Sequence, residues 1–262
     1  MVPRVAILAA LVGLGAGVVP RSAAPASLSE LRERRTLTVC AHPDALPYSS
    51  QDPAQPGFQL EIADAVARQL GVRLSVQWIV FTRHARRAQC DAVMGSIVQK
   101  ADEVKGPRGR PSLTRPYVGS GYVLVLPPGA PDVSRLEDVK PGKIGVEHTS
   151  WPHYVMSTRK IETSSYGSQV DLLDAVAKGE VVAGFATDAY AGWYLKQHPG
   201  AVRIASAPMP DGDFRWNVAI RLLEADQAII DAVNQSLDRL VADRTIPDIL
   251  AKYGITYVQP AP

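Results

Sequence analysis

Apolar and polar residues follow two rhythms along this chain. Leu37, Val39 and Ala41 fall two apart, which predicts a short strand. His42-Pro43-Asp44 breaks it, and Leu46-Pro47-Tyr48 breaks it again, because proline fixes φ and holds its predecessor extended. Over residues 57–71 the rhythm changes. Phe58, Ile62, Val66 and Leu70 recur every four residues, one stripe of a helix, and Gly71 is a C-terminal stop. Residues 74–79 read as a second strand, 81–89 as a short basic helical stretch, and 90–95 as a third strand ending on the small residues Gly95 and Ser96. Such β-α-β-α-β alternation predicts a parallel sheet with right-handed crossovers. Ligands of such sheets sit beyond the carboxyl ends of the strands.

Residues 27–35 form a polar lead-in compatible with a helix, and 99–112 lack apolar periodicity and read as a loop. A strand at 121–126 ends at Pro127-Pro128-Gly129. A second series then begins: strands at 143–147, 161–166, 181–186 and 201–205, with helices at 151–159, 169–178 and 188–198 between them. A strand at 214–221, a long amphipathic helix at 224–244 and a helix at 245–253 complete the chain. The expected architecture is α/β, with two lobes around a central cleft. Strands at 122–126 and 216–220 are the natural crossings. Lobe one is expected over 27–120 plus 217–262 and lobe two over 121–216, with the cleft as the preferred ligand site.

Residues 1–26 carry Arg4 before an apolar run of 15 residues, 5–19, and Ala24-Pro25-Ala26 suits cleavage. The run is short for a bilayer, so a secretory signal removed near Ala26 is expected. Removal takes away Arg4, Arg21 and no acid, so 28 basic and 26 acidic residues become 26 and 26. A neutral mature chain offers no footprint for nucleic acid or anionic membrane. Arg83, Arg86 and Arg87 read as a solvated helix face rather than a binding patch. An exported chain with two cysteines suggests a bridge between Cys40 and Cys90. Read as neighbouring parallel strands, however, the two registers differ by about four residues, roughly 13 Å. A bridge needs Cα atoms within about 7 Å, so the reading favours two buried thiols.

The segments LTVCAHPDALPYSS, GFQLEIADAVARQLG, CDAVMGS, TRPYVGSGYVLV, LEDVKPGKIGVEHTS, DLLDAVAKGEVVAGFATDAYAGWYL and DRTIPDILAKYGI, in this order and spacing, resemble the family-3 periplasmic solute-binding proteins. The resemblance spans nearly all of the mature chain. It implies two α/β lobes that close like a flytrap. VCAHPDALPYS with CDAVMG and LTRPY looks most like a subgroup, the accessory proteins associated with quinoprotein methanol and alcohol dehydrogenases.

The resemblance also implies candidate ligand residues. The family's polar residue after the first strand falls on His42, and its aromatic at the loop's end on Tyr48. An aromatic wall residue falls on Trp78 or Phe81, and the small polar positions on Gly95 and Ser96. The arginine that grips an α-carboxylate in amino-acid binders falls near Glu103, a charge reversal, with Arg108, Arg110 and Arg115 as candidate substitutes. In lobe two the helix-start anion site falls on His148, Thr149 and Ser150, and the ammonium-binding aspartate on Asp188.

Each residue has a plainer role. Asp188, Thr149 and Ser150 are good helix caps, His42 beside Pro43 suits a turn, and Tyr48 and Trp78 suit a core. Trp151, with His153 nearby, is an aromatic candidate for the cleft or a partner surface. His148 and His153 are five apart, so on a helix they share no face for a metal. No Gly-x-Ser-x-Gly elbow, zinc signature or phosphate loop is present, so no catalytic residue, metal or cofactor is expected.

The expected protein is thus a periplasmic, monomeric binder that holds a small organic solute between its lobes, with an inner-membrane permease as a candidate partner. The alternative is a non-transport accessory protein that engages a periplasmic quinoprotein dehydrogenase. A dehydratase of the same fold is a remote third.

Overall fold

The computed structural model describes residues 27–98, 112–133, 135–139, 141–206, 214–223 and 225–262. The signal segment, Glu103, Arg108, Arg110 and all of the 99–112 loop except Ser112 lie outside the described residues.

Lobe one begins with α1 (Leu28–Arg34), capped by Ser27 and Glu30 in a reciprocal pair. Strand β1 (Thr36–Ala41) follows, then a small hairpin of β2 (Asp44–Ala45) and β3 (Ser49–Ser50), with a cis Leu46-Pro47 peptide in its turn. Helix α2 (Phe58–Gln69) buries Phe58, Ile62 and Val66, the stripe legible in the sequence. Strands β4 (Arg73–Trp78) and β5 (Ala92–Val98) both pair parallel with β1. Next, β6 (Ser112–Leu113) leads into β7 (Val118–Leu126).

Lobe two carries β8 (Ile144–Glu147), α3 (Trp151–Thr158), β9 (Thr163–Tyr166), α4 (Gln169–Ala177), β10 (Ala183–Thr187), α5 (Asp188–Gln197) and β11 (Arg203–Ile204). Here β8 pairs parallel with β9 and β10. The chain returns through β12 (Arg215–Leu222) to α6 (Gln227–Ala242) and α7 (Thr245–Lys252) in lobe one.

One sheet path, β4-β1-β5-β12-β7-β10-β8-β9, runs through both lobes. The two central strands make the crossing. β7 pairs with β12 through Val118–Gly121 and with β10 from Tyr122 onward, both antiparallel. The core divides accordingly. Ile62, Val66, Val39, Leu237 and Leu250 belong to one buried cluster. Leu124, Phe185, Phe214 and Met156 belong to a second, and Val125, Leu172 and Val176 to a third on the other face of the lobe-two sheet.

The short helical stretch expected at 81–89 is only a 3-10 turn at Thr82–His84, and the structure corrects the sequence reading in three further places. β5 does not end at Gly95. That residue sits at φ +72° inside the strand, where the register with β12 shifts between Ala219 and Arg221, so Gly95 is a bulge. β7 starts at Val118, not Gly121, because its glycines admit close neighbours instead of breaking the strand. A Cβ on Gly121 would lie 2.6 Å from the Phe214 carbonyl oxygen.

The third correction is the disulfide. Cys40 and Cys90 are bonded, with Cα atoms 5.6 Å apart. The register estimate took Cys90 as the first residue of a straight strand. In fact β5 begins at Ala92, and Gln89 has φ +54° with the Cys90 N–H bonded back to the Ala85 carbonyl. That bend brings Cys90 alongside Cys40.

Candidate functional site

Two loops and two crossing strands bring a set of side chains together between the lobes. At the end of β10, Thr187 caps α5, its hydroxyl accepting from the Tyr190 N–H. The Thr187 N–H and hydroxyl both donate to Gln169 Oε1, at 2.8 and 3.1 Å. This fixes the turn that delivers Asp188. Oδ1 of Asp188 accepts from Ser120 Oγ on β7 (2.8 Å) and from the Ala189 N–H (2.8 Å). Burial pushes the Asp188 carboxyl above the ordinary range; Ser120, two backbone N–H groups and the charge of Arg215 pull against it.

From lobe one, Pro47 and the β2–β3 hairpin aim Tyr48 inward. Its hydroxyl meets Thr187 Oγ1 at 3.4 Å, and its ring packs 5.2 Å from Phe58 and 5.5 Å from Tyr190. Burial pushes the Tyr48 hydroxyl well up, and Asp188 adds to this. On the crossing strands, Tyr122 and Trp216 meet edge to face at 5.3 Å. Burial, then the charge of Glu147, raises the hydroxyls of Tyr122 and Tyr190.

These groups wall a cavity of about 530 Å³, in the range of small-molecule sites. Lobe one contributes Tyr48, Phe58, Gln59, Gly95 and Ile97. The crossing strands contribute Ser120, Tyr122 and Trp216, and lobe two Trp151, Thr187 and Asp188. No lysine or arginine is among the described residues lining it.

Of the residues singled out in the sequence, the structure brings Tyr48, Asp188, Gly95 and Trp151 to this cavity. His42, Trp78, Phe81, Ser96, Thr149 and Ser150 are among those outside its lining. His42 shapes the hairpin: its Nδ1 accepts from the Asp44 N–H and its carbonyl from Ser49 Oγ. Ser96 is buried, turned away from the face that carries Gly95 and Ile97. Trp78 stands partly exposed at the end of β4. Thr149, at φ +60°, donates its hydroxyl to the His148 carbonyl, and Ser150 caps α3. His42, Ser96 and Thr149 thus do not join Asp188 in the lining, where Tyr48 and Gln59 come from lobe one and Thr187 and Asp188 from lobe two. Arg115 pairs with Asp238, outside the cavity. His148 precedes α3 and its ring lies 5.5 Å from His153, a contact that a shared-helix spacing does not anticipate. Among the described residues no cluster of three metal-ligating side chains occurs.

Sequence reasoning missed Gln59, Ser120, Thr187 and Trp216. The glycine pair around Ser120 was the available signal: Gly119-Ser120-Gly121 lets other backbone approach the strand and leaves one polar side chain between them.

Comparisons with known proteins agree with the fold. The family described as "Bacterial extracellular solute-binding proteins, family 3" matches residues 37–256. A probable amino-acid ABC transporter-binding protein of Haemophilus influenzae is 24% identical over 233 residues, 84% of each chain. The L-cystine solute receptor of Neisseria gonorrhoeae, in its unliganded open conformation, superposes with a TM-score of 0.72 at 19% identity, over 90% of this chain and 100% of that one. The periplasmic binding protein XoxJ from Methylobacterium extorquens AM1 superposes with a TM-score of 0.67 at 24% identity, over 85% and 99%.

Proposed function

The chain belongs to the bacterial extracellular solute-binding proteins, family 3, and from that premise we propose that it holds a small organic solute between its two lobes without gripping a carboxylate. One observation carries the reading: an aromatic-walled cavity of about 530 Å³ holds the buried carboxylate of Asp188 and no described basic residue. A carboxylate in low dielectric disfavours a second anion and favours a cation or a hydrogen-bond donor. Tyr48, Tyr122, Trp151 and Trp216 present ring faces and edges that suit a protonated amine on an apolar body. An amino acid's carboxylate would find no lysine or arginine among the described lining residues, since Arg215 acts on Asp188 from outside that lining.

Lobe one then comprises 27–120 plus 217–262 and lobe two 121–216, a division supported by the separate buried clusters. Closure is a population shift, driven by contacts a solute makes with both lobes at once. Export to the periplasm after cleavage near Ala26, a monomeric state and delivery to an inner-membrane permease complete the reading. No helix among the described residues is long and apolar enough to cross a membrane. A thermal-shift screen across amino acids, polyamines, organic acids and small alcohols tests it. A rise in Tm with an amine is expected, and silence across the whole panel refutes it.

A second reading makes the chain an accessory to a periplasmic quinoprotein dehydrogenase. It is favoured by the exposed Trp78, Val80 and Phe81, three large apolar side chains close together in the chain at and just after the end of β4. Exposed apolar patches of this kind mark protein contacts. Co-elution with a purified quinoprotein methanol dehydrogenase, lost on Phe81→Ser, is the expected result; separate elution at micromolar concentration refutes it.

A further inference from the structure

Residues 253–261 touch the parts of the molecule that must move if the lobes change their angle. The segment leaves α7 at Tyr253. That hydroxyl donates to Glu61 Oε1 (2.8 Å) and accepts from the Gly57 N–H (3.0 Å), anchoring the start of the segment to α2 in lobe one. Next it crosses α5, backbone against backbone. A Cβ on Gly192 would lie 2.3 Å from the Gly254 carbonyl oxygen, and a Cβ on Gly254 2.4 Å from that of Gly192. Gly254 also has φ +74°, so the approach depends on glycine at both positions. The Trp193 ring packs 5.5 Å from Tyr253 beside it.

The segment then reaches the crossing strands. The Gly119 N–H donates to the Val258 carbonyl (2.8 Å). The Asn217 side chain donates to the Ala261 carbonyl (2.8 Å) and accepts the Ala261 N–H (2.9 Å). Gly119 and Asn217 are direct register partners on β7 and β12. One extended run thus grips both crossing strands at a single rung. Asn217 is 3% exposed, so its amide has no ready exchange with water if those bonds break. Gly192 lies one helical turn after Asp188 on α5, which links the same run to the cavity.

Hinges are a few residues that absorb a change of backbone angle, and a rung bonded on several sides absorbs less. We infer that residues 253–261 are a brace that restricts rotation of the two lobes about β7 and β12. Its position is coupled through Gly192 to α5 and so to Asp188.

Spin labels at Gln69→Cys on α2 and Ser157→Cys on α3 read the interlobe distance by pulsed electron resonance. Both native cysteines are bonded to each other, so the labels go to the introduced thiols alone. Without added solute, Asn217→Ala and removal of residues 258–262 are each expected to broaden the distance distribution beyond that of the parent. Gly192→Ala, which drives α5 off Gly254, is expected to do the same. If the shortened chain does not fold, Asn217→Ala and Gly192→Ala decide. An unchanged distribution in variants with native circular dichroism overturns the inference, even where their Tm falls.

Discussion

Replacing both cysteines by alanine tests how the segment entering β5 is held against β1. The bridge spans 50 positions, from Cys40 to Cys90. Cross-linking ends that far apart removes loop-closure entropy from the unfolded chain, on the order of 4 kcal/mol at 25 °C. Little else compensates. The cluster around the bridge is small: Ala85, Val93 and Leu223, with Ile79 and Ala88 at its edge. The two sulfurs are buried among them, so truncation adds a small packing loss. Urea unfolding followed by tryptophan fluorescence should show Cys40→Ala/Cys90→Ala less stable by about 4 kcal/mol. For a chain of this size that is a Tm drop of roughly 8–16 °C. A loss below about 1 kcal/mol, or two titratable thiols in the unreduced native protein, refutes the reasoning.

Asp188 gives a pH prediction. Its folded value is raised by burial, so the stability gained by protonating it is fully present below the ordinary carboxylate value and lost as pH rises through the raised one. The Tm of the wild type relative to Asp188→Asn should therefore rise on going from about pH 7 to about pH 4; a fall contradicts the burial argument. Ile62→Ala empties a fully buried site on α2 and should cost about 2–5 kcal/mol by chemical denaturation. A cost below that range would mean that α2 is not packed as described.

Elements that obey one periodicity were readable from the sequence. The α2 stripe and the β1 alternation each depend on local spacing alone, and the structure places them within a residue or two. Gly95, Gly119 and Gly121 misled because a glycine inside a strand looks like its end. Their role comes from partners far along the chain, such as Phe214 and Gln259. Cys90 misled because the bend at Gln89 has no periodic signature. At the site, Asp188 was singled out through the family resemblance, and the structure puts it in the cavity lining, just after β10. Ser120 was not, because it acquires meaning only by meeting Asp188, 68 residues away. Gln59 and Trp216 were hidden in the same way, one inside a helix start and the other inside a strand.

The central claim is a cleft that accepts an amine and has no grip for a carboxylate. Isothermal titration of the wild-type protein with matched series of n-alkylamines, alkanoates and α-amino acids addresses it directly. Saturable heat from the amine series alone, abolished in Asp188→Asn, is the result this account predicts. Saturation by the alkanoates or α-amino acids, or by none of the three, would contradict it.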